Sequence, residues 1–260
     1  MKLNNIVLFI VVYYFFFLIS YRSTFVHNNL SIEIFDVGQG DAILIDIYGE
    51  RILIDGGANF EVDSKLNSFT PFWDCKLSAL ILTHPHYDHL AGLNRVLERC
   101  QVQQIMFNDV NYSSYEFELF KQNIASLNVK NVIAGDIFEI NNVTFEILWP
   151  TKEFLDSRIE NINNVSVVVV MRYKDFSTLF LGDLEKKIDL PHAEFIKIAH
   201  HGASNGVRPK IRPGDVCVIS VGEDNRFGHP HEETLKYLED SGCEVLRTDL
   251  EGDISFRITK

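Results

Sequence analysis

Between Leu30 and Asp55 the apolar residues come in short alternating or β-branched runs, broken by glycine-bearing turns. Leu30–Phe35, Ala42–Ile47 and Arg51–Asp55 read as strands, separated by Gly38-Gln39-Gly40-Asp41 and by Tyr48-Gly49-Glu50. Ala79–Thr83 is another short apolar strand, and it runs straight into His84. The period then changes. Leu90, Leu93, Val96 and Leu97 fall on one face of a helix over Asp88–Arg99, and Tyr115–Leu127 carries a second amphipathic helix after the strand Ile105–Phe107. In the second half, Asp136–Ile140 and Val143–Trp149 predict a hairpin around Asn141-Asn142. Ser166–Tyr173 and Ser177–Leu181 predict another, turning at Lys174-Asp175. Strands follow at Phe195–Ala199, Val216–Val221, Val245–Leu246 and Ile254–Ile258, with a helix over His231–Ser241 closed by Gly242. Two halves of this kind predict two sheets packed face to face with helices outside, in one α/β domain over residues 29–260.

The N-terminus breaks the pattern. After Lys2, the stretch Ile6 to Ile19 is almost unbroken apolar sequence, between the length of a signal-peptide core and that of a spanning helix. Residues 1–22 therefore read as a signal anchor or a signal peptide, and the missing Ala-x-Ala site favours the anchor. Lys2 ahead of the run predicts that the following domain is extracytoplasmic, at the periplasm or cell surface, and membrane-anchored or secreted.

Composition changes this picture in two ways. The 24 basic against 36 acidic side chains give a net charge of −12, which offers nucleic acid no long-range attraction unless a local groove or bound cations reverse the sign. Cys75, Cys100, Cys217 and Cys243 are scattered without Cys-x-x-Cys spacing, and Cys217 sits in an apolar run. Four structural thiols are the expectation, with disulfides the alternative for an exported domain.

The chemistry concentrates in Thr83-His84-Pro85-His86-Tyr87-Asp88-His89, where three imidazoles and a carboxylate follow an apolar strand and open a helix. Imidazole and carboxylate are the donors that Zn and Mn accept. In extended chain His84 and His86 project to one side, while Asp88 and His89 at the helix entry can face a second metal. Asp55 before Gly56-Gly57, Asp183 after Leu179–Gly182, and His200-His201 after Phe195–Ala199 put further donors at strand ends. Each of these alone fits a strand-end turn residue as well. Asp41 suits an Asx-type turn slightly better than a place facing the metals. His229 and His231 flank Pro230 ahead of a helix, where either one touches substrate from the rim or both belong to a helix-entry loop. His27 and His192 have no ligand pattern around them and read as surface residues.

His84-x-His86-x-Asp88-His89 resembles the hallmark of the metallo-β-lactamase superfamily. The chain is more narrowly similar to the C-terminal hydrolase domain of ComEC-type competence proteins. Phe35-Asp36-Val37-Gly38-Gln39-Gly40-Asp41-Ala42, Leu53–Gly57, Leu181-Gly182-Asp183, His200-His201-Gly202, Asn225–His231 and Arg247-Thr248-Asp249 match that subgroup in order. The resemblance implies a four-layer αββα sandwich carrying two divalent metals, Zn or Mn. His84 and His86 would hold the first metal, Asp88 and His89 the second, with Asp183 bridging and one of His200 and His201 completing the second site. Asp55 and Asp41 would stand behind the ligands, and Asp88, Asp183 and His229 form the set assigned to the reaction. No histidine lies between His89 and His192, so the third imidazole that many members give the first metal is lacking here. The activity implied is hydrolysis by a metal-bound hydroxide, with a phosphodiester, single-stranded DNA included, as substrate. The alternatives are a different ester or a lactone, and a non-enzymatic accessory or binding protein.

Overall fold

A computed structural model describes residues 9–15 and 29–259. Residues 9–15 are helical and exposed, and the rest of the 1–22 segment read as an anchor lies outside the described residues. Among the described residues no helix is long and apolar enough to cross a membrane.

Two seven-stranded sheets dominate the fold. The first runs, in spatial order, Ile254–Ile258, Leu30–Ile34, Ile43–Ile47, Glu50–Ile54, Ala79–Ile81, Ile105–Phe107 and Val129–Asn131. The second runs Glu244–Arg247, Val216–Ile219, Phe195–Lys197, Phe176–Phe180, Val168–Tyr173, Val143–Trp149 and Ile137–Ile140. Because strand side chains alternate between faces, each sheet offers one apolar face to the other and one to helices. Ile32, Ile45 and Ile52 of the first sheet share one core with Phe145, Val169 and Phe195 of the second. On the first sheet's outer face Leu44, Leu53 and Leu80 pack with Val62, Leu90, Leu93 and Phe117 of the helices Glu61–Leu66, Tyr87–Arg99 and Tyr115–Ile124. The second sheet's outer face packs Val170, Leu179 and Ile196 with Leu184 and with Leu238 of the helix Glu232–Asp240. Fully burying each such aliphatic or aromatic side chain contributes about 1.5–3 kcal/mol.

The predicted hairpin turns are present. Asn141 and Asn142 both adopt positive φ, 49° and 63°, as a tight two-residue turn requires. The sequence pattern missed the helix Glu61–Leu66 and the exposed three-residue strand Val129–Asn131, both too short to show a period. The expectation of four thiols is overturned: Cys75 pairs with Cys100 and Cys217 with Cys243. Cys243 directly precedes Glu244–Arg247, which runs parallel beside the strand that carries Cys217, so the fold brings together sulfurs that the sequence separates by 26 residues.

Topology positions the site. Glu50–Ile54 pairs parallel with Ala79–Ile81, and Phe176–Phe180 pairs parallel with Phe195–Lys197. The C-terminal ends of these strands deliver Asp55, His84, Asp183 and His200 to one edge of the sandwich. A backbone bond from Val167 N–H to Thr83 O, 2.9 Å, ties the two halves together there.

Candidate metal centre

Asp183 occupies the middle of the cluster. Its Oδ2 lies 3.6 Å from His84 Nε2, and its Oδ1 lies 3.2 Å from His89 Nε2 and 3.5 Å from His201 Nε2. Two donor groups thereby share one carboxylate: His84 and His86 with Asp183, and Asp88, His89 and His201 with Asp183, the donor atoms of each lying within 4.8 Å of one another. Asp88 Oδ2 is 3.3 Å from His201 Nε2. Of the paired histidines, His201 is the member that joins the Asp88 group. His200 turns to the other side, with Nε2 3.7 Å from Asp183 Oδ2 and Nδ1 3.2 Å from Glu185 Oε1. Both take left-handed backbone, φ 50° and 53°, a strained pair that swings the two rings apart around Asp183.

The surroundings fix each ring. Asp55, fully buried, takes Thr83 N–H (2.8 Å), the Thr83 hydroxyl (2.6 Å) and His89 Nδ1–H (2.7 Å), leaving His89 Nε2 for the centre. His201 Nδ1–H donates to Ser220 O at 2.9 Å, which likewise frees its Nε2. His86 occupies the entry position of the helix Tyr87–Arg99 and makes no side-chain capping bond. Gly40 permits the approach of the Gly38–Asp41 turn to that helix: a Cβ on it would stand 2.0 Å from Asp88 O.

Asp41 corrects the turn reading. Its carboxylate is buried, with Oδ1 2.8 Å from Lys197 Nζ and 3.4 Å from His201 Nδ1, while the Asx turn belongs to Asp36, whose Oδ1 accepts Gly38 N–H. Of the rim histidines, His229 lines the cleft and His231 accepts Ser204 N–H on Nδ1 at 2.9 Å ahead of its helix. His27 lies outside the described residues. His192, read as a surface residue, is half-buried, with its Nε2 in hydrogen-bond contact with Asp215 Oδ2 at 2.9 Å.

Charge at the centre is polarised. Burial alone would lower His89 and His201, but Asp183 with Asp55 raises His89 well above the ordinary histidine value, and Asp183, Asp41 and Asp88 raise His201 to about 10. Burial would raise Asp183 and Asp88, yet the facing imidazoles hold both below the ordinary carboxylate value. His84 is lowered by burial and by neighbouring His89, and His229 falls to about 4 through burial beside His200 and His201. The carboxylates thus draw positive charge to a largely buried cluster at the floor of a cleft, which is the electrostatic demand that cations meet. His89 Nε2, Asp183 Oδ1 and His201 Nε2 are all buried without a hydrogen-bond partner. These orphaned atoms all belong to the Asp88–His89–His201 group and fit one divalent cation there. On the other side His84 Nε2 and His86 Nδ1 lie 3.1 Å apart, with Asp183 as the third donor of a second group.

The cleft above holds about 320 Å³ and is lined by His86, Asp88, Tyr112, Asp183, His200 and His229 among others. Beside it lies a groove of about 1090 Å³ that shares Tyr112 and mixes Lys130, Lys152 and Arg158 with acidic residues. Sequence reasoning missed Lys197, Asn163, Glu185 and Tyr112. Only Lys197, a lone cation inside the apolar run Phe195–Ala199, carried a readable signal.

A family model described as the Metallo-beta-lactamase superfamily matches residues 35–217. ComE operon protein 3 of Bacillus subtilis is 29% identical over 87% of this chain and 33% of its own length. Competence protein ComA of Neisseria gonorrhoeae is 24% identical over 92% of this chain and 34% of its own. The chain therefore spans about a third of these curated relatives. Among solved structures, the metallo-β-lactamase fold protein YhfI of Bacillus subtilis superposes with a TM-score of 0.58 at 14% identity, covering 88% of this chain and 100% of that one.

Proposed function

Since the chain belongs to the metallo-β-lactamase superfamily, we propose that it is a metal-dependent hydrolase that holds two divalent cations, Zn or Mn, and cleaves a phosphodiester, with single-stranded DNA as the first substrate class to test. The observation that carries this reading is Asp183, whose two oxygens face two separate groups of nitrogen and oxygen donors. Two cations held by these residues would supply a nucleophile at neutral pH and would neutralise charge developing on a scissile phosphoryl group. His84 and His86 would serve the first, and Asp88, His89 and His201 the second. Asp55 and Ser220 O orient His89 and His201 by taking their Nδ1–H groups. Neutral His229 on the cleft wall is free to hydrogen-bond a substrate oxygen. The wide groove beyond Tyr112 leaves room for an extended chain.

The reading also places the domain outside the cytoplasm, tethered through residues 1–22. Two disulfides support that, because they persist in oxidising compartments. The competence relatives support DNA as substrate. The net charge of −12 favours a second reading, a lactone or a non-phosphodiester ester. A panel of end-labelled single-stranded DNA, a lactone and a phosphocholine ester, each with Mn or Zn, separates them. Cleavage of DNA by the wild type but not by Asp88→Ala is the expected result. Lactone or phosphocholine turnover with intact DNA would replace the phosphodiester reading, and metal binding without any turnover would favour an accessory protein.

A further inference from the structure

We propose that the side-chain oxygen of Asn163 is the donor that takes the place of a third imidazole at the first cation, beside His84, His86 and Asp183. The inference rests on the two-cation reading above.

Three protein donors converge on that side, and two of them are the imidazoles of His84 and His86. No histidine between His89 and His192 can add another. Asn163 lies in the 3-10 turn Ile162–Val165, ahead of the strand Val168–Tyr173, and lines the same cleft as His86, Asp183 and His200. The residue is 7% exposed. Nδ2 donates to Glu185 Oε1 at 2.7 Å, and a carboxylate only accepts, so the amide has one orientation and Oδ1 is turned away from Glu185. That Oδ1 is buried with no hydrogen-bond partner, as are His89 Nε2, Asp183 Oδ1 and His201 Nε2 at the second cation's side. A buried acceptor left without a partner is costly, and a cation meets the need.

The surroundings hold Asn163 in place. Asn161 Oδ1 accepts its backbone N–H at 2.9 Å, and Asn161 Nδ2 donates to Glu185 Oε2 at 2.7 Å. Glu185 Oε1 also lies 3.2 Å from His200 Nδ1, so one carboxylate positions both Asn163 and His200. An amide oxygen is a hard, neutral donor. A site with two imidazoles, a carboxylate and an amide accepts Mn more readily, relative to Zn, than a three-imidazole site does.

The test uses the full-length protein stripped of metal and titrated with Mn(II), with the free ion followed by electron paramagnetic resonance. Wild type is expected to take up two ions tightly. Asn163→Ala should keep one and bind the other at least tenfold more weakly. Glu185→Gln, which keeps an acceptor for the Asn163 amide, should change either affinity less than threefold. Folding of each variant is checked by circular dichroism. Two tight ions in folded Asn163→Ala would overturn the inference alone, as would equal weakening in Glu185→Gln, which would make Asn163 a positioning residue. No Mn uptake by wild type would instead bring down the two-cation reading, and this inference with it.

Discussion

Lys197 Nζ lies 2.8 Å from Asp41 Oδ1, with both side chains sealed from solvent, and the same carboxylate oxygen lies 3.4 Å from His201 Nδ1. The pair joins the turn Gly38–Asp41 of the first sheet's half to the interior strand Phe195–Lys197 of the second, directly behind a candidate metal ligand. Removing one partner leaves the other charge buried and uncompensated. Lys197→Met is therefore expected to cost about 3–5 kcal/mol in urea unfolding, and the double variant Lys197→Met/Asp41→Leu distinctly less.

That same carboxylate sets a pH dependence. Burial alone would raise Asp41, but Lys197 and His201 hold it down to about 2, below its ordinary value of 3.8. A carboxylate depressed in the folded state contributes stability that is fully present above the unfolded value and is lost as pH falls through the folded one. The stability gap between wild type and Lys197→Met should accordingly be widest near neutrality and narrow as pH is lowered toward 2. Unfolding measured at several acidic pH values checks this, and a gap that widens on acidification would be the wrong sign.

Asp55 accepts three hydrogen bonds that orient Thr83 and His89. Asp55→Ala removes them without touching a donor to either metal. The expected result is a loss of about 10- to 100-fold in affinity for one metal, read by competition with a chromophoric chelator. Unchanged affinity would show that Asp55 only closes its strand.

Gly40 and Gly38 make a paired test of local fit. A Cβ at Gly40 would stand 2.0 Å from Asp88 O, whereas nothing lies within 4 Å of one built at Gly38. Gly40→Ala must push the entry of the Tyr87–Arg99 helix, and displacement by about 1 Å is enough for a loss of about 100-fold in kcat/KM. Gly38→Ala meets only the backbone penalty of its φ of 70°, about 1–2 kcal/mol of stability, with turnover kept.

The disulfides close loops of 25 and 26 residues. Replacing Cys75 and Cys100 by alanine is expected to cost about 3–4 kcal/mol and to lower Tm. Dithiothreitol should lower the Tm of wild type in the same direction. A melting curve indifferent to reductant would argue against both bonds.

Much of the centre was legible because the chemistry sits in contiguous sequence at strand ends. His84, His86, Asp88 and His89 fall in one turn, and Asp55, Asp183 and the histidine pair each follow an apolar run. What was illegible depends on contacts between distant strands. Nothing local says that Asp41 meets Lys197, that Cys217 meets Cys243, or that Asn163 and His200 share Glu185. The choice between His200 and His201 was equally hidden, since two adjacent left-handed residues set it. Neither the three-residue strand Val129–Asn131 nor the helix Glu61–Leu66 buries enough of a face to show a period.

The most direct test counts metal and turnover in one sample, comparing wild type with Asp183→Asn. Asparagine keeps the shape of Asp183 but cannot offer two anionic oxygens to two cations. The account predicts about two divalent metals per wild-type chain by mass spectrometry, together with hydrolysis of bis-p-nitrophenyl phosphate. A chelator should abolish that hydrolysis and Mn or Zn should restore it, while Asp183→Asn should lose metal and most of the turnover together. Wild type that takes up no metal under any condition, or hydrolysis that survives both the chelator and Asp183→Asn, would contradict it.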